Sequence, residues 1–207
     1  MSASGRLSIF PLPGALLFPG LHLPLHIFEP RYRAMISDAM ARDRRIGMIQ
    51  PRPDSRDERR PALFDIGCVG RIAEIEALDD GRYNLILEGL SLFRVRDELD
   101  VTTAFRQVDA EMIASRDDEI LTLGARAALE MEAKRFAETL GYAVDWDSVE
   151  RLDDTSLVNG IAQIAPFDVA AKQALIEAPG IDARADLLMQ LMQFFGRHDG
   201  DDRVTLQ

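Results

Sequence analysis

His22 and His26, four residues apart with Glu29 three further on, are the side chains in this sequence best suited to hold a metal ion. Imidazole nitrogens and carboxylate oxygens are zinc ligands, and a site needs at least three of them. Pro24 stands between the histidines, so they do not share a helix face. On a strand, residues an even number apart point to one side. The context therefore reads as ordinary strand or loop histidines, and no metal or other cofactor is expected. The single thiol, Cys68, lies in a strand-like run, where a small buried sulfur is inert. The only lysines, Lys134 and Lys172, follow alanines, so there is no Gly-Lys-Ser/Thr phosphate loop and ATP hydrolysis by that route is excluded. There is no G-x-S-x-G and no H-x-E with a paired C-x-x-C. The acidic runs Asp117–Glu119, Asp145/Asp147, Asp153/Asp154 and Asp199/Asp201/Asp202 fall mostly where helices should begin, and capping accounts for them. "DWDSVERLDDTS" is no calcium loop, because Glu150 occupies the position that needs glycine. Gly67-x-x-Gly70 is too short a pattern to assign. No catalytic residue emerges.

The elements around these residues change character once along the chain. Leu7 to Phe10 reads as a strand ended by Pro11. "PLPGALLFPG" should be an irregular or edge segment wrapped on a core, since its prolines cannot donate to a sheet. At Glu29-Pro30 the period switches: Tyr32, Met35, Ile36, Ala39 and Met40 form one helical stripe, with Pro30 at the first helical position. Ile46 to Ile49 is a strand. A charged, Pro-bounded loop follows, with Arg52, Arg56, Arg59 and Arg60 among acids, either solvated or a docking surface for an acidic partner. Asp80-Gly81 marks a hairpin between two β-rich runs, the second broken near Gly89, and "TAFRQVDAEMI" continues them. From Asp117 four helices are expected, the first closing at Gly141, with a loose tail after Gly196. The fold class is α+β: a small β-barrel with one inserted helix over residues 1–111, then a four-helix bundle over 112–207.

Charge divides at the same place. Residues 1–110 hold 15 basic and 16 acidic side chains, a net of −1; residues 111–207 hold 9 and 19, a net of −10. Phosphate backbones are bound by positive charge, so nucleic acid is not an expected partner. No apolar run is long enough to span a membrane and the first residues are unlike a signal peptide, which places the expected protein in the cytoplasm.

Two strings carry a family resemblance. "IFPLPGALLFPGLHLPLHIFEPRYRAMISDA" resembles the opening of the substrate-binding domain of ATP-dependent Lon proteases, and "GCVGRIAEIEALDDGRYNLILEGLSLFRV" resembles that family's second signature, with Leu92 before Phe93-Arg94. "PFDVAAKQALIEAPGIDARADLLMQLM" is similar to its C-terminal part, so the likeness runs over about residues 7–196. The resemblance implies a PUA-like barrel followed by helices, binding of polypeptides without catalysis, and a stand-alone domain separate from the Lon ATPase and peptidase modules. Leu17, Phe18, Phe28, Arg31 and Tyr32 are the expected peptide-binding residues. The other readings are a scaffold that docks one folded partner and, more remotely, a small-molecule enzyme.

Overall fold

The computed structural model describes residues 4–57, 60–114 and 120–202. The fold is α+β, with six strands in one mixed sheet and six helices among the described residues, and the chain divides into two compact units, Met1–Ser115 and Arg116–Gln207.

The first unit runs β1 (Ser4–Pro11), β2 (His22–Ile27), α1 (Pro30–Met40), β3 (Arg45–Ile49), β4 (Ile66–Ala77), β5 (Tyr83–Glu98) and β6 (Gln107–Met112). The strand order is β2-β5-β4-β3-β1-β6, with β1 and β3 parallel and all other neighbours antiparallel. The far half of β5 also pairs with β6, from Phe93↔Met112 to Glu98↔Val108. The run β6-β5-β4-β3-β1 thus returns to β6, and β2 lies at an edge. Leu7, Ile9, Ile49, Val69, Phe93, Val108 and Ala110 fill one core cluster. Burying a large side chain of this kind stabilises by about 1.5–3 kcal/mol.

Local chemistry explains the strand details. The Gly89 N–H donates to the Leu21 carbonyl at 2.8 Å. Antiparallel alternation then turns Leu23 and Leu25 toward β5 and leaves Pro24, which has no N–H, facing the free side of the edge. The expected break near Gly89 is a bulge instead: Gly70 faces Gly89 and Val69 faces Ser91, leaving Leu90 extra, and β5 continues. A Cβ at Gly89 would lie 2.0 Å from the Phe18 carbonyl oxygen, so only glycine lets residues 12–21 cross this strand. The hairpin turn also differs in detail. Leu78 N–H donates to Arg82 O and Gly81 N–H to Leu78 O, both at 2.9 Å, and only Gly81 in the turn has positive φ. Three residues, 79–81, span the turn, which spares Asp80 the left-handed conformation that a two-residue turn would impose. The Gly67-x-x-Gly70 pair lies inside β4, where Met48 and Leu17 press close.

The second unit holds α2 (Leu123–Leu140), α3 (Trp146–Val149), α4 (Asp154–Ile164), α5 (Val169–Glu177) and α6 (Ile181–Asp202). Five helices stand where four were expected, because Asp145 caps a single turn at Trp146 by accepting from Ser148 N–H. Asp117–Glu119 lie outside the described residues; α2 begins six residues later, with the Thr122 hydroxyl accepting from Ala125 N–H at 3.1 Å. Gly141, at φ 75°, closes α2 as expected. Asp153 and Asp168 cap α4 and α5 in the same way as Thr122. α6 runs through Gly196 to Asp202, and the rest of the tail expected to be loose, residues 203–207, lies outside the described residues. Phe136, Phe167 and Phe195 stack in series at 5.8 and 5.3 Å between centroids. Arg126 pairs with Asp154 at 2.6 Å while Asp154 also accepts from Leu121 N–H, tying the start of α2 to α4. Buried Arg184 donates to Asn159 at 2.7 Å and to the Leu175 carbonyl at 2.9 Å.

Candidate functional site

The corner at residues 27–32 organises a cavity in the first unit. β2 ends on buried Ile27, and the alternation of the strand throws Phe28 outward, where it is 61% exposed. Glu29 is the N-cap residue of α1 and Pro30 its first residue; the Glu29 carbonyl accepts from Tyr32 and Arg33 N–H at 3.0 and 2.9 Å. That start sets Tyr32 inward. Its ring lies 4.3 Å from that of Phe10, and burial pushes its phenol above the usual range while Arg31 draws it back. The Arg31 guanidinium stands 4.5 Å over the Tyr32 ring and pairs with Glu29 at 2.9 Å. Both partners of that pair are well exposed, so it is worth about 0.2–1 kcal/mol and is readily exchanged for a ligand.

The cavity beside this corner measures about 450 Å³. Pro11, Pro13, Pro24, Pro51 and Pro61 contribute to its walls, together with Phe10, Phe28 and Tyr32. Proline walls carry no N–H donors, so they present apolar rings and carbonyl oxygens. Arg106 closes one side. It grips Glu98 through two hydrogen bonds of 2.8 and 2.6 Å and donates to the Pro61 carbonyl at 2.7 Å, and this donation holds the Glu98 carboxyl below its usual range. Arg106 is therefore a fixed wall, whereas Arg31 is a movable one. The lining contains no serine, threonine, cysteine or lysine. Its chemistry is that of a receptacle for apolar or aromatic side chains, with the movable Arg31 guanidinium available to carbonyl or carboxylate oxygens.

Of the five residues expected to form a peptide surface, Phe28, Arg31 and Tyr32 come together in this lining. Leu17 and Phe18 do not. They are 1% and 0% exposed, because the Pro-rich segment turns them inward over Gly70 and Gly89. Side chains so enclosed cannot meet a ligand, and they leave the candidate set. Phe10, Pro61 and Arg106 were not singled out in the sequence. The prolines were visible there; Arg106 joins the cavity only through the β1–β6 pairing, which no local pattern announces.

The other candidates take their places elsewhere. His22 and His26 point to the exposed side of β2; His26 meets Asn84 at 2.7 Å, and Glu29 is engaged by Arg31. No three His, Cys, Asp or Glu side chains gather as a metal cluster among the described residues. Cys68 is buried, which pushes its thiol up to about 12. In the Arg-rich loop Arg60 pairs with Glu98 at 2.7 Å, and Arg52 donates to the Leu63 carbonyl and lies over Phe64; Arg59 is outside the described residues. Among the described residues no helix is long and apolar enough to cross a membrane.

The architecture is a strand unit with a proline-walled recess followed by a helical unit. Residues 6–193 match the family model of the ATP-dependent protease La (LON) substrate-binding domain, and the chain belongs to that family. It is 29% identical over 193 residues to Lon protease 2 of Myxococcus xanthus and 26% identical over 199 residues to Lon protease of Escherichia coli. These alignments cover 90% and 91% of this chain but 23% and 24% of the relatives, so the chain spans about a quarter of their length. Among solved structures, the Lon N-terminal domain protein from Xanthomonas campestris aligns with a TM-score of 0.66 at 19% identity, covering 90% of this chain and 98% of that one. The N-terminal domain of the Mycobacterium avium complex Lon protease gives 0.68 at 16%, covering 91% and 98%. At these identities the two structures speak for the fold.

Proposed function

We propose that this chain is a non-catalytic polypeptide-binding module whose first unit takes apolar side chains of an unfolded polypeptide into the cavity beside Phe28, Arg31 and Tyr32. We read the closed run of five strands as a PUA-like barrel, the helices as a bundle, and residues 1–111 and 112–207 as the corresponding domains. The observation that carries the reading is an exposed phenylalanine at the mouth of a cavity walled by prolines and aromatic rings. A large apolar side chain left in water beside a recess of like chemistry marks a contact surface. The Lon name of the relatives supports a polypeptide as the ligand. The net charge of −11 disfavours nucleic acid.

The test is a titration of a fluorescently labelled, reduced and alkylated polypeptide, followed by anisotropy at moderate salt. Saturable binding is expected, weakened about tenfold, or about 1.4 kcal/mol, by Phe28→Ala and less by Arg31→Ala. Both positions are exposed, so the melting temperature should stay the same. Equal binding by wild type and Phe28→Ala would remove the cavity from the account. Absence of binding at any concentration would remove the function.

A further inference from the structure

The second unit carries an apolar groove of its own. α2, the loop after Gly141, α3 and α4 enclose a cavity of about 340 Å³, with Phe136, Tyr142, Trp146, Leu152, Gly160 and Ile164 on its walls. The lining includes no charged side chain. Ile164 is 78% exposed, and Tyr142 and Leu152 are also open to solvent. Interleaved in the chain with these residues are exposed Glu138, Asp145, Asp147, Glu150 and Asp153. The opposing cations nearby are fewer. Lys134 lies 5.7 Å from the Trp146 ring centroid, Arg151 bonds the Ser148 hydroxyl, and Arg135 is paired with Glu132. The whole of residues 116–207 holds 9 basic and 18 acidic side chains, a net of −9.

We propose that this groove docks a basic amphipathic polypeptide segment, with leucine-like or aromatic side chains in the cavity and flanking lysines or arginines against the acidic fringe. Apolar walls alone would accept any greasy segment; the charge around them selects among such segments. An acidic segment meets repulsion. A second copy of the chain would bring one acidic unit against another, which disfavours it as the occupant. This site is separate in residues and in charge preference from the cavity beside Phe28.

Trp146 is the only tryptophan in the sequence, so its emission reports on this groove alone. The probe is a synthetic amphipathic peptide of leucine and lysine, compared with its counterpart carrying glutamate for lysine. The Leu/Lys peptide should shift Trp146 emission saturably, and the Leu/Glu peptide should bind about tenfold more weakly or worse, the difference shrinking as salt rises. Gly160→Leu fills the groove, and a Cβ there meets nothing within 4 Å, so the helix should tolerate it. It should abolish the response, as should Ile164→Lys, which sets a cation against the basic peptide on a solvent-exposed lip and serves if the first variant misfolds. Phe28→Ala should leave the response intact, which separates this site from the first unit's cavity. An emission unmoved by the Leu/Lys peptide, or moved equally by both peptides, overturns the proposal. A response surviving in folded Gly160→Leu also overturns it. So does an emission that shifts with protein concentration as the molecular mass doubles, since the occupant would then be a second copy.

Discussion

The strand unit and the helical unit each leave apolar surface in water, but they surround it with different company. In the first, the recess is walled by prolines and bordered by Arg31 and Arg106, within a half of the chain whose charges nearly cancel, 15 basic against 16 acidic. In the second, the groove has no charged lining and lies in a half with 9 basic and 19 acidic groups. The supports differ as well. Non-local strand pairings position the first recess, while local helix caps at Thr122, Asp145 and Asp153 position the second. On the two proposals above, the comparison teaches how one chain would offer apolar side chains two receptacles and sort them by the charge of their neighbours.

The sharpest way to break the comparison is to attack each core. Phe93→Ala empties a position with no solvent exposure inside the closed strands and should cost about 3–5 kcal/mol, measured by urea unfolding followed by far-UV circular dichroism. Leu188→Ala, equally buried in the helical unit, should cost about 2–5 kcal/mol and be read by Trp146 emission. Next comes the polar tie of the helical unit. Arg184→Met strips Asn159 and the Leu175 carbonyl of a donor and should cost about 1–3 kcal/mol for each buried group left unsatisfied. Gly89→Ala tests how the first recess is framed. Its methyl would sit 2.0 Å from the Phe18 carbonyl, so residues 12–21 must move, at about 1–3 kcal/mol, with faster amide exchange at Leu17 and Phe18.

The smallest effect is electrostatic. Glu98 is held below its usual range, first by the hydrogen bond from Arg106. A carboxylate depressed on folding contributes stability that is full above its unfolded pKa of about 4.3 and is lost as pH falls through the lower folded value. An acid titration of stability should therefore decline below about pH 5, and Glu98→Gln should flatten part of that decline. An unchanged acid limb in the variant would mean that the Arg106 wall is not held by this pair.

What the sequence announced was local. Pro30 and the stripe from Tyr32 to Ala39 marked α1, Gly81 the hairpin and Gly141 the end of α2, because each of these residues acts on its own neighbours. What it concealed was long-range or ambiguous. Leu17 and Phe18 sit between prolines, and such a segment reads alike whether its side chains turn in or out; Gly89 and Gly70 decide the matter from across the sheet. Arg106 reaches the recess only because β6 pairs with both β1 and β5. Gly196 resembles a helix stop, yet α6 runs on through it to Asp202. The groove at Trp146 depends on a single turn capped by Asp145; the cap was legible in the acidic run, the extra turn it starts was not.

Amide hydrogen exchange of the protein alone and saturated with an unfolded polypeptide tests the central claim most directly. The account predicts slowed exchange at residues 25–29, 31 and 32, which border the proline-walled recess, and loss of that protection in Phe28→Ala. Bound polypeptide that leaves those amides unchanged, while protecting some other surface, would contradict it.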